Sequence, residues 1–314
     1  MALGCRPVLI VDATPILVWY LSIADYAPRM TPAGVPCGGI VGTLLTLRRL
    51  CEQWSPHRIV LVYDAWGSTR RHRLFPGYKT ARREKEADDP VRQWVRQQTR
   101  EQANALTEST LLAPLGVQSV IAHGHEADDV VAYLARQVKD RPCVVVGEDK
   151  DLLQLVDENI VVYRPRKTDT VDLRSFRDVT SRFTPYDHLL SLAVAGDASD
   201  GIPGVRGVGA VTVDSVFAHK SFPTAEALRA YCAQSDVPRV RSIAASWETV
   251  ERNLELIDLS RDTFTDEESA RLGAVLTQPV SHQEIASYHA ARPFLTSEVR
   301  SASSVLLPLR CLGR

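Results

Sequence analysis

Apolar residues along the chain fall into two patterns. Four short unbroken runs, at residues 7–11, 58–63, 117–121 and 142–146, are rich in Val, Ile and Leu. Runs of this length without alternation predict strands buried on both faces, as in a parallel sheet. Between them, apolar positions recur at helical spacing. Residues 39–54 place Ile40, Leu44, Leu47 and Leu50 on one face, and residues 90–112 and 127–138 predict two more helices. Strands alternating with helices predict an α/β fold with a central, mostly parallel sheet flanked by helices.

Beyond Tyr163 the pattern changes. Arg164-Pro165-Arg166-Lys167 predicts a polar turn, and the chain to Leu259 reads as short helices broken by Gly and Pro. The expected division is an α/β core at 1–183, a helical region at 184–290 and a tail at 291–314. The tail carries Ser301-Ala302-Ser303-Ser304 and an apolar run at 305–309. No internal repeat is present.

Composition narrows the class. A chain of 314 residues with 45% hydrophobic and 24% charged residues can bury a sizeable core. Its 37 basic residues balance 38 acidic ones, so net charge neither points to a polyanionic partner nor excludes one. Six scattered cysteines without a C-x-x-C pair read as free thiols in a reducing compartment rather than as a disulfide framework or a zinc site. No apolar run approaches the roughly 18 residues that span a bilayer. Asp12 interrupts the run at 8–11 too early for a signal peptide. A cytoplasmic monomer, in a bacterial cell or a phage-infected host, is the expectation.

The acids then change the picture. Three strand runs end on carboxylates: Asp12, Asp64, and Glu148-Asp149 with Asp151 following; the run at 117–121 leads to Glu126-Ala127-Asp128-Asp129 at a helix start. Sites in open α/β sheets form beyond the carboxyl ends of strands. Singly, each acid has an ordinary explanation as a turn residue or in a first helical turn. Together they would repel one another unless cations neutralise them, and hard oxygen ligands suit Mg²⁺ or Mn²⁺. A pair of such ions supports phosphodiester hydrolysis.

A second acidic cluster, Gly196-Asp197-Ala198-Ser199-Asp200-Gly201, runs into Ile202-Pro203-Gly204-Val205-Arg206-Gly207-Val208-Gly209. Asp197 and Asp200, three apart at an expected helix end, can point the same way. The glycines permit a tight turn between two helices, whose amides can bind phosphate. This is the spacing of a helix–hairpin–helix, although a plain connecting loop has the same composition. A P-loop is excluded because Ala210 and Val211 stand where Lys and Ser/Thr are required, and a dinucleotide fingerprint needs the other glycine order after a strand.

Between Arg70 and Arg100 lie ten basic residues against four acids, with Phe75, Tyr78 and Trp94 interleaved. Such a run is usually a solvated helix face. Directly after Asp64, its composition also suits a mobile arch over a single strand, with cations on phosphates and aromatics on bases. The arch is expected over residues 65–112.

These motifs, in this order over about residues 7–260, resemble the 5′-nuclease family: flap endonucleases, phage 5′→3′ exonucleases and the 5′-nuclease domain of bacterial DNA polymerase I. Gly124-His125-Glu126-Ala127-Asp128-Asp129 is similar to the family's G-x-E-A-D-D. Asp149-Lys150-Asp151-Leu152-Leu153-Gln154-Leu155 is similar to its D-K-D-L-x-Q-L, and residues 196–209 to its G-D-x-S-D-N-I-P-G-V-x-G-I-G. The resemblance implies a PIN-like nuclease core followed by a helix–hairpin–helix region. It implies that Asp12, Asp64, Glu126 and Asp128 bind a tighter metal, and that Asp129, Asp149, Asp151, Asp197 and Asp200 surround a second. Tyr78-Lys79-Thr80-Ala81-Arg82 resembles the family's Y-K-x-x-R, making Lys79 and Arg82 the catalytic candidates. Arg70, Arg71, Tyr78 and Arg83, with Gly204, Arg206, Gly207, Gly209 and Thr212, are the expected DNA contacts. The sequence departs from the family at Trp19, where an arginine is usual, at Gly201 for asparagine, at Ala210-Val211 for Glu-Lys, and at His125 for an aromatic.

The function this implies is a Mg²⁺- or Mn²⁺-dependent structure-specific DNA nuclease, with 5′→3′ exonuclease and flap endonuclease activity in replication or repair. It would hold two or more ions and act on DNA with a 5′ flap or 5′ end, with any polymerase partner a separate chain. A catalytically impaired DNA-junction binding protein and a PIN-like ribonuclease are the alternatives.

Overall fold

A computed structural model of the chain describes residues 5–67, 69–108, 111–261 and 263–280, and beyond them only Gln283, Ala286, Phe294, Leu309 and Leu312. The tail expected at 291–314 therefore lies almost wholly outside the described residues. The chain forms two compact units. One draws on 1–67, 89–147 and 262–314, the other on 68–88 and 148–261.

The first unit is built on four strands, β1 (Val8–Asp12), β2 (Arg58–Asp64), β3 (Val117–Ala122) and β4 (Cys143–Val146), each matching an expected run to within a residue at either end. They lie parallel in the order β3-β2-β1-β4. Val, Ile and Leu fill both faces of β1, which is buried throughout, because helices cover the strands on either side. Those helices include Thr14–Leu21, Gly38–Trp54, Pro90–Glu108, Ala127–Gln137 and Asp266–Thr277. The chain adds strands on one side of β1 through β3, then returns to place β4 on the other side. The direction of winding therefore reverses between β1 and β4, which opens a crevice at the carboxyl ends of those strands.

The second unit is mainly helical, with two small strand pairs the apolar pattern does not announce. β5 (Ile160–Arg164) and β6 (Asp169–Val171) form an antiparallel hairpin around the polar turn expected at 164–167. β7 (Gly196–Asp197) pairs with β8 (Ile202–Pro203). A core of Leu190, Val194, Phe217, Phe222, Leu228, Trp247 and Val250 joins helices Pro185–Ala195, Ala210–Phe217, Ala225–Ala233 and Trp247–Ile257. Two buried polar residues stitch it together. Asp187 closes a capping box with Thr184 and also accepts the Phe222 amide at 2.8 Å and the Ser221 hydroxyl at 2.7 Å. Asn253, fully buried, donates to Ala193 O at 2.8 Å and Pro203 O at 3.0 Å.

These units do not follow the division at 183/184 expected from the sequence. Residues 69–88 join the second unit because Phe75 and Tyr78 pack against its core, and Arg70 and Arg71 donate to the last carbonyls of helix Trp247–Ile257, Glu255 O at 3.0 Å and Leu256 O at 2.7 Å. Cations at the end of a helix satisfy its orphan carbonyls and oppose its dipole. The long helix expected at 90–112 ends at Glu108, and a short one follows at Leu112–Leu115.

Candidate functional site

In the first unit, parallel strands put Asp12 and Asp64 at one edge. Both are terminal residues of their strands, and Asp12 borders the crevice where the winding reverses. Asp64 is fixed from two sides: its amide donates to the Thr14 hydroxyl at 2.8 Å, and its Oδ1 accepts the amide of Ala127 at 2.8 Å. Ala127 opens helix Ala127–Gln137, so Asp64 binds an orphan N–H of that helix. Glu126 is the N-cap, and it forms a capping box with Asp129, whose Oδ2 accepts the Glu126 amide at 3.2 Å. The ordinary role of acids in a first helical turn is thus realised here, and it coexists with the placement expected of ligands. Asp12, Glu126 and Asp129 are buried and Asp64 and Asp128 half-buried. Carboxylates taken so far out of water need donors or cations around them.

In the second unit, Asp149 caps a 3₁₀ turn, Lys150–Leu155, with its Oδ1 accepting the Asp151 amide at 2.9 Å. Asp197 and Asp200, expected at a helix end, lie instead beyond it. Helix Pro185–Ala195 stops at Gly196, and the two acids flank the tight turn between β7 and β8. The Asp197 carboxylate accepts from Ser199 N at 2.8 Å and Asp200 N at 3.3 Å, an Asx-type turn. This turn explains one departure. Gly201 has φ +71°, a left-handed backbone that glycine and asparagine both adopt, but a Cβ there would stand 2.9 Å from Gly77 O, a close approach that favours glycine. Gly204 is equally constrained, since a Cβ would approach Ala195 O to 2.1 Å. Gly209, the N-cap of helix Ala210–Phe217, meets nothing within 4 Å. Gly207, at φ +78°, Arg206 and Gly209 are exposed, Thr212 half-buried.

Two lysines hold these acids. Lys150 Nζ lies 2.8 Å from Asp197 Oδ2, and Lys79 Nζ 3.7 Å from Asp200 Oδ2, which also accepts the Tyr78 hydroxyl at 3.0 Å. Partial burial opposes ionisation of Asp197, yet Lys150 and Ser199 hold its carboxyl below the usual range. Lys150 relieves Asp151 only in part. Desolvation and the charges of Asp149, Asp197 and Asp200 push its pKa up to about 7. The crowding foreseen from the sequence is therefore present within this unit alone. A cation here would relieve it, and Lys150, drawn toward Asp197, Asp151 and Asp149, is a built-in stand-in for one. Among the described residues, no three His, Cys, Asp or Glu side chains converge tightly enough to form a ready coordination shell. Backbone amides and lysines engage the carboxylates instead, but the donor set, all hard oxygen, fits a small divalent cation.

The basic segment divides. Tyr78 and Arg71, expected as DNA contacts, are buried in the second unit at 2% and 4% exposure, each packed and hydrogen-bonded inside the protein. Lys79 sits in left-handed backbone, φ +53°, at the start of helix Thr80–Ala87, with its amide bonded to Asp200 O at 2.7 Å. Arg82 is exposed and paired with Glu86 at 3.2 Å; Arg83, also exposed, donates to Tyr78 O at 2.7 Å. Trp19 stands 47% exposed on helix Thr14–Leu21, and Val211 is 85% exposed on the first turn after Gly209. Sequence reasoning assigned nothing to Thr14, Lys150 or Asn253. Only Lys150, inside the D-K-D motif, carried a signal.

Comparison with known proteins places this geometry in a family. A profile described as "5'-3' exonuclease, N-terminal resolvase-like domain" matches residues 7–183. A 5'-3' exonuclease of Aquifex aeolicus is 32% identical over 63% of this chain and 64% of its own length, and one of Buchnera aphidicola from Acyrthosiphon pisum 30% over 66% and 68%. DNA polymerase I of Pseudomonas aeruginosa is 34% identical over 66% of this chain but only 21% of the polymerase. The chain thus spans just under two thirds of the first of these relatives and about a fifth of the polymerase. This protein belongs to the 5′-3′ exonuclease family. Its fold is that of T5 5′-exonuclease, with a TM-score of 0.67 at 19% identity over 94% of this chain and all of that one, in a crystal described as having divalent zinc ions bound. The catalytic core of Rad2, in complex with a DNA substrate, shares the fold at a TM-score of 0.53, 17% identity and coverage of 97% and 92%.

Proposed function

We propose that the chain is a divalent-metal-dependent, structure-specific DNA nuclease with 5′→3′ exonuclease and flap endonuclease activity, acting near single-strand/duplex junctions. The observation that carries this reading is the sheet edge on which Asp12 and Asp64 end adjacent strands, with Asp64 bonded to the start of the Glu126–Asp129 turn, in a chain of the 5′-3′ exonuclease family. Asp12, Asp64, Glu126 and Asp128 would hold one ion, and Asp129, Asp149, Asp151, Asp197 and Asp200 another, Mg²⁺ or Mn²⁺ in each case. When bound, such ions stabilise charge on the phosphodiester and acidify a water.

The chain's own residues do the rest. Asp64 and the capping box orient the carboxylates without any cation, so little reorganisation accompanies binding. Lys79 would set its ammonium against the scissile phosphate, held near Asp200 until substrate arrives, and Arg82 would assist. The Gly207 and Gly209 amides, Arg206 and Thr212 would grip the duplex backbone at a helix N-terminus without reading sequence.

A labelled 5′-flap duplex incubated with Mg²⁺ or with EDTA tests the proposal. Cleavage should need the metal, and Asp128→Ala should abolish turnover while leaving DNA binding within a few-fold. Binding without cleavage under every metal condition would overturn it in favour of a junction-binding protein, and cleavage of RNA in preference to DNA would favour a ribonuclease.

A further inference from the structure

The acidic turn of the first unit is braced by a segment far along the chain and outside the residues that match the family profile. His125 precedes Glu126 directly. Its ring is buried, and three residues from 263–268 surround it. Phe264 packs on the ring with centroids 4.3 Å apart, Thr263 Oγ1 lies 3.4 Å from Nδ1, and Glu268 Oε1 lies 3.5 Å from Nε2. These contacts fit the tautomer with its hydrogen on Nε2, donating to Glu268 and accepting from Thr263.

Glu268 is itself fixed. It is the third residue of helix Asp266–Thr277 and closes a capping box with Thr265, its Oε2 accepting the Thr265 amide at 2.8 Å. That helix is anchored in turn. Leu272 is buried, Tyr133 donates to Ser269 O at 3.3 Å, and Arg58, at the start of β2, donates to Val275 O at 3.0 Å and Gln278 O at 2.7 Å. Phe264 also packs on Tyr133, ring centroids 5.0 Å apart. A chain of contacts thus runs from the strands, through helix Asp266–Thr277, to the residue beside the first acid of the turn. The loop between β3 and Glu126 is only three residues long, and His125 N bonds back to Ala122 O at 3.1 Å across the exposed Gly124, so the His125 ring is where a distant segment braces the turn.

We propose that Glu268 is a positioning residue for the acidic turn: acting through His125, it fixes the Glu126–Asp129 helix start in its ligand-ready form. The inference rests on the proposed nuclease reading for its consequence and on the geometry for its existence. It also accounts for a histidine where the family resemblance leads one to expect an aromatic. The ring keeps the packing against Phe264 and adds two polar contacts that reach a different part of the chain.

The experiment uses the full chain with Glu268→Ala, Glu268→Gln and Leu272→Ala, the last weakening the same helix without touching His125. Amide exchange at 126–130 is measured without metal, Mn²⁺ binding is followed by titration, and kcat is taken at saturating Mn²⁺ on the flap duplex. Glu268→Ala should speed exchange at the turn and weaken Mn²⁺ binding about tenfold, the scale on which supports of metal ligands act, with kcat at saturation little changed. Glu268→Gln keeps a single acceptor oxygen, enough for the Thr265 capping box or for His125 but not for both, and should recover part of each effect. Leu272→Ala should lower the Tm with exchange at the turn and Mn²⁺ affinity near wild type. Exchange unmoved by Glu268→Ala, or moved as far by Leu272→Ala, overturns the proposal. Failure of the wild type to bind Mn²⁺ would instead overturn the nuclease reading, and the exchange comparison would still decide the brace.

Discussion

The two units hold their acids by different means. In the first, carboxylates lean on backbone amides: Asp64 on Ala127, and Asp129 on Glu126 across a capping box. In the second they lean on cations of the protein itself, Lys150 for Asp197 and Lys79 for Asp200, and Asp151 is left with a raised pKa. Amides at a helix start are fixed by the helix and cannot leave, whereas an ammonium on four methylenes can. The first arrangement is therefore a preformed frame, and the second is one in which an incoming divalent ion competes with a lysine.

The largest effect expected from breaking this contrast is at Asp64. Asp64→Ala removes both a proposed ligand and the acceptor of a helix N–H, so turnover should fall by about a thousandfold, the scale of several kcal/mol of transition-state stabilisation. Thermal unfolding should register a loss of about 1 kcal/mol as well. If activity fell with no change in Tm, the amide-held frame would not be a structural feature of the first unit.

The lysine-held side has a pH signature through His188. Its Nε2 bonds Lys150 O at 2.9 Å, and burial lowers its pKa to about 4. Above the ordinary histidine value near 6.5, folded and unfolded forms are both neutral and this group leaves stability unchanged. As pH falls from there toward 4 the unfolded chain takes a proton that the folded chain refuses, so stability drops, by about 3 kcal/mol at most. Asp151, whose raised pKa returns stability over the same range, acts in the opposite direction, so the His188 loss is read as a difference: urea unfolding of wild type and His188→Gln at pH 7.5 and 4.5 should show the wild type losing more than the variant by up to that amount.

Asn253→Ala removes the side-chain donor to Ala193 O and one of two to Pro203 O, which keeps Arg252 Nη2 at 3.1 Å, on either side of the turn carrying Asp197 and Asp200. A loss of about 1–3 kcal/mol should appear in denaturant unfolding. The smallest effect is expected at Lys150→Met. Lys150 is half-exposed and Asp197 keeps its bonds from Ser199, so metal-free stability should fall by only about 0.5 kcal/mol. The same change should make Mg²⁺ more stabilising to the variant than to wild type, because the acids then lack their own counter-ion. Equal stabilisation of both would mean that Lys150 and the ion do not compete.

How much of this was legible in the sequence varies by element. The four parallel strands and the acids at their ends could be read directly, because strands buried on both faces write themselves as unbroken apolar runs. β5 and β6 escaped, β5 because its run ends on Arg164, whose guanidinium finds Asp169 across the hairpin. The Asp197–Asp200 segment read as a helix end because spacing alone cannot separate a helical turn from an Asx turn closed by Asp197. Arg71 and Tyr78 read as DNA contacts because charge and aromaticity are visible in sequence, whereas burial against a helix some 180 positions later is not.

The sequence by itself thus determined the strand order's raw material, the inventory of acids and the family, since each depends on local pattern or on motifs in order. Tertiary structure alone decided which acid leans on an amide and which on a lysine, which basic residues face inward, and that residues 263–268 close around His125. Those outcomes depend on long-range packing, where a side chain's partner is set by the fold that surrounds it rather than by its neighbours in the chain.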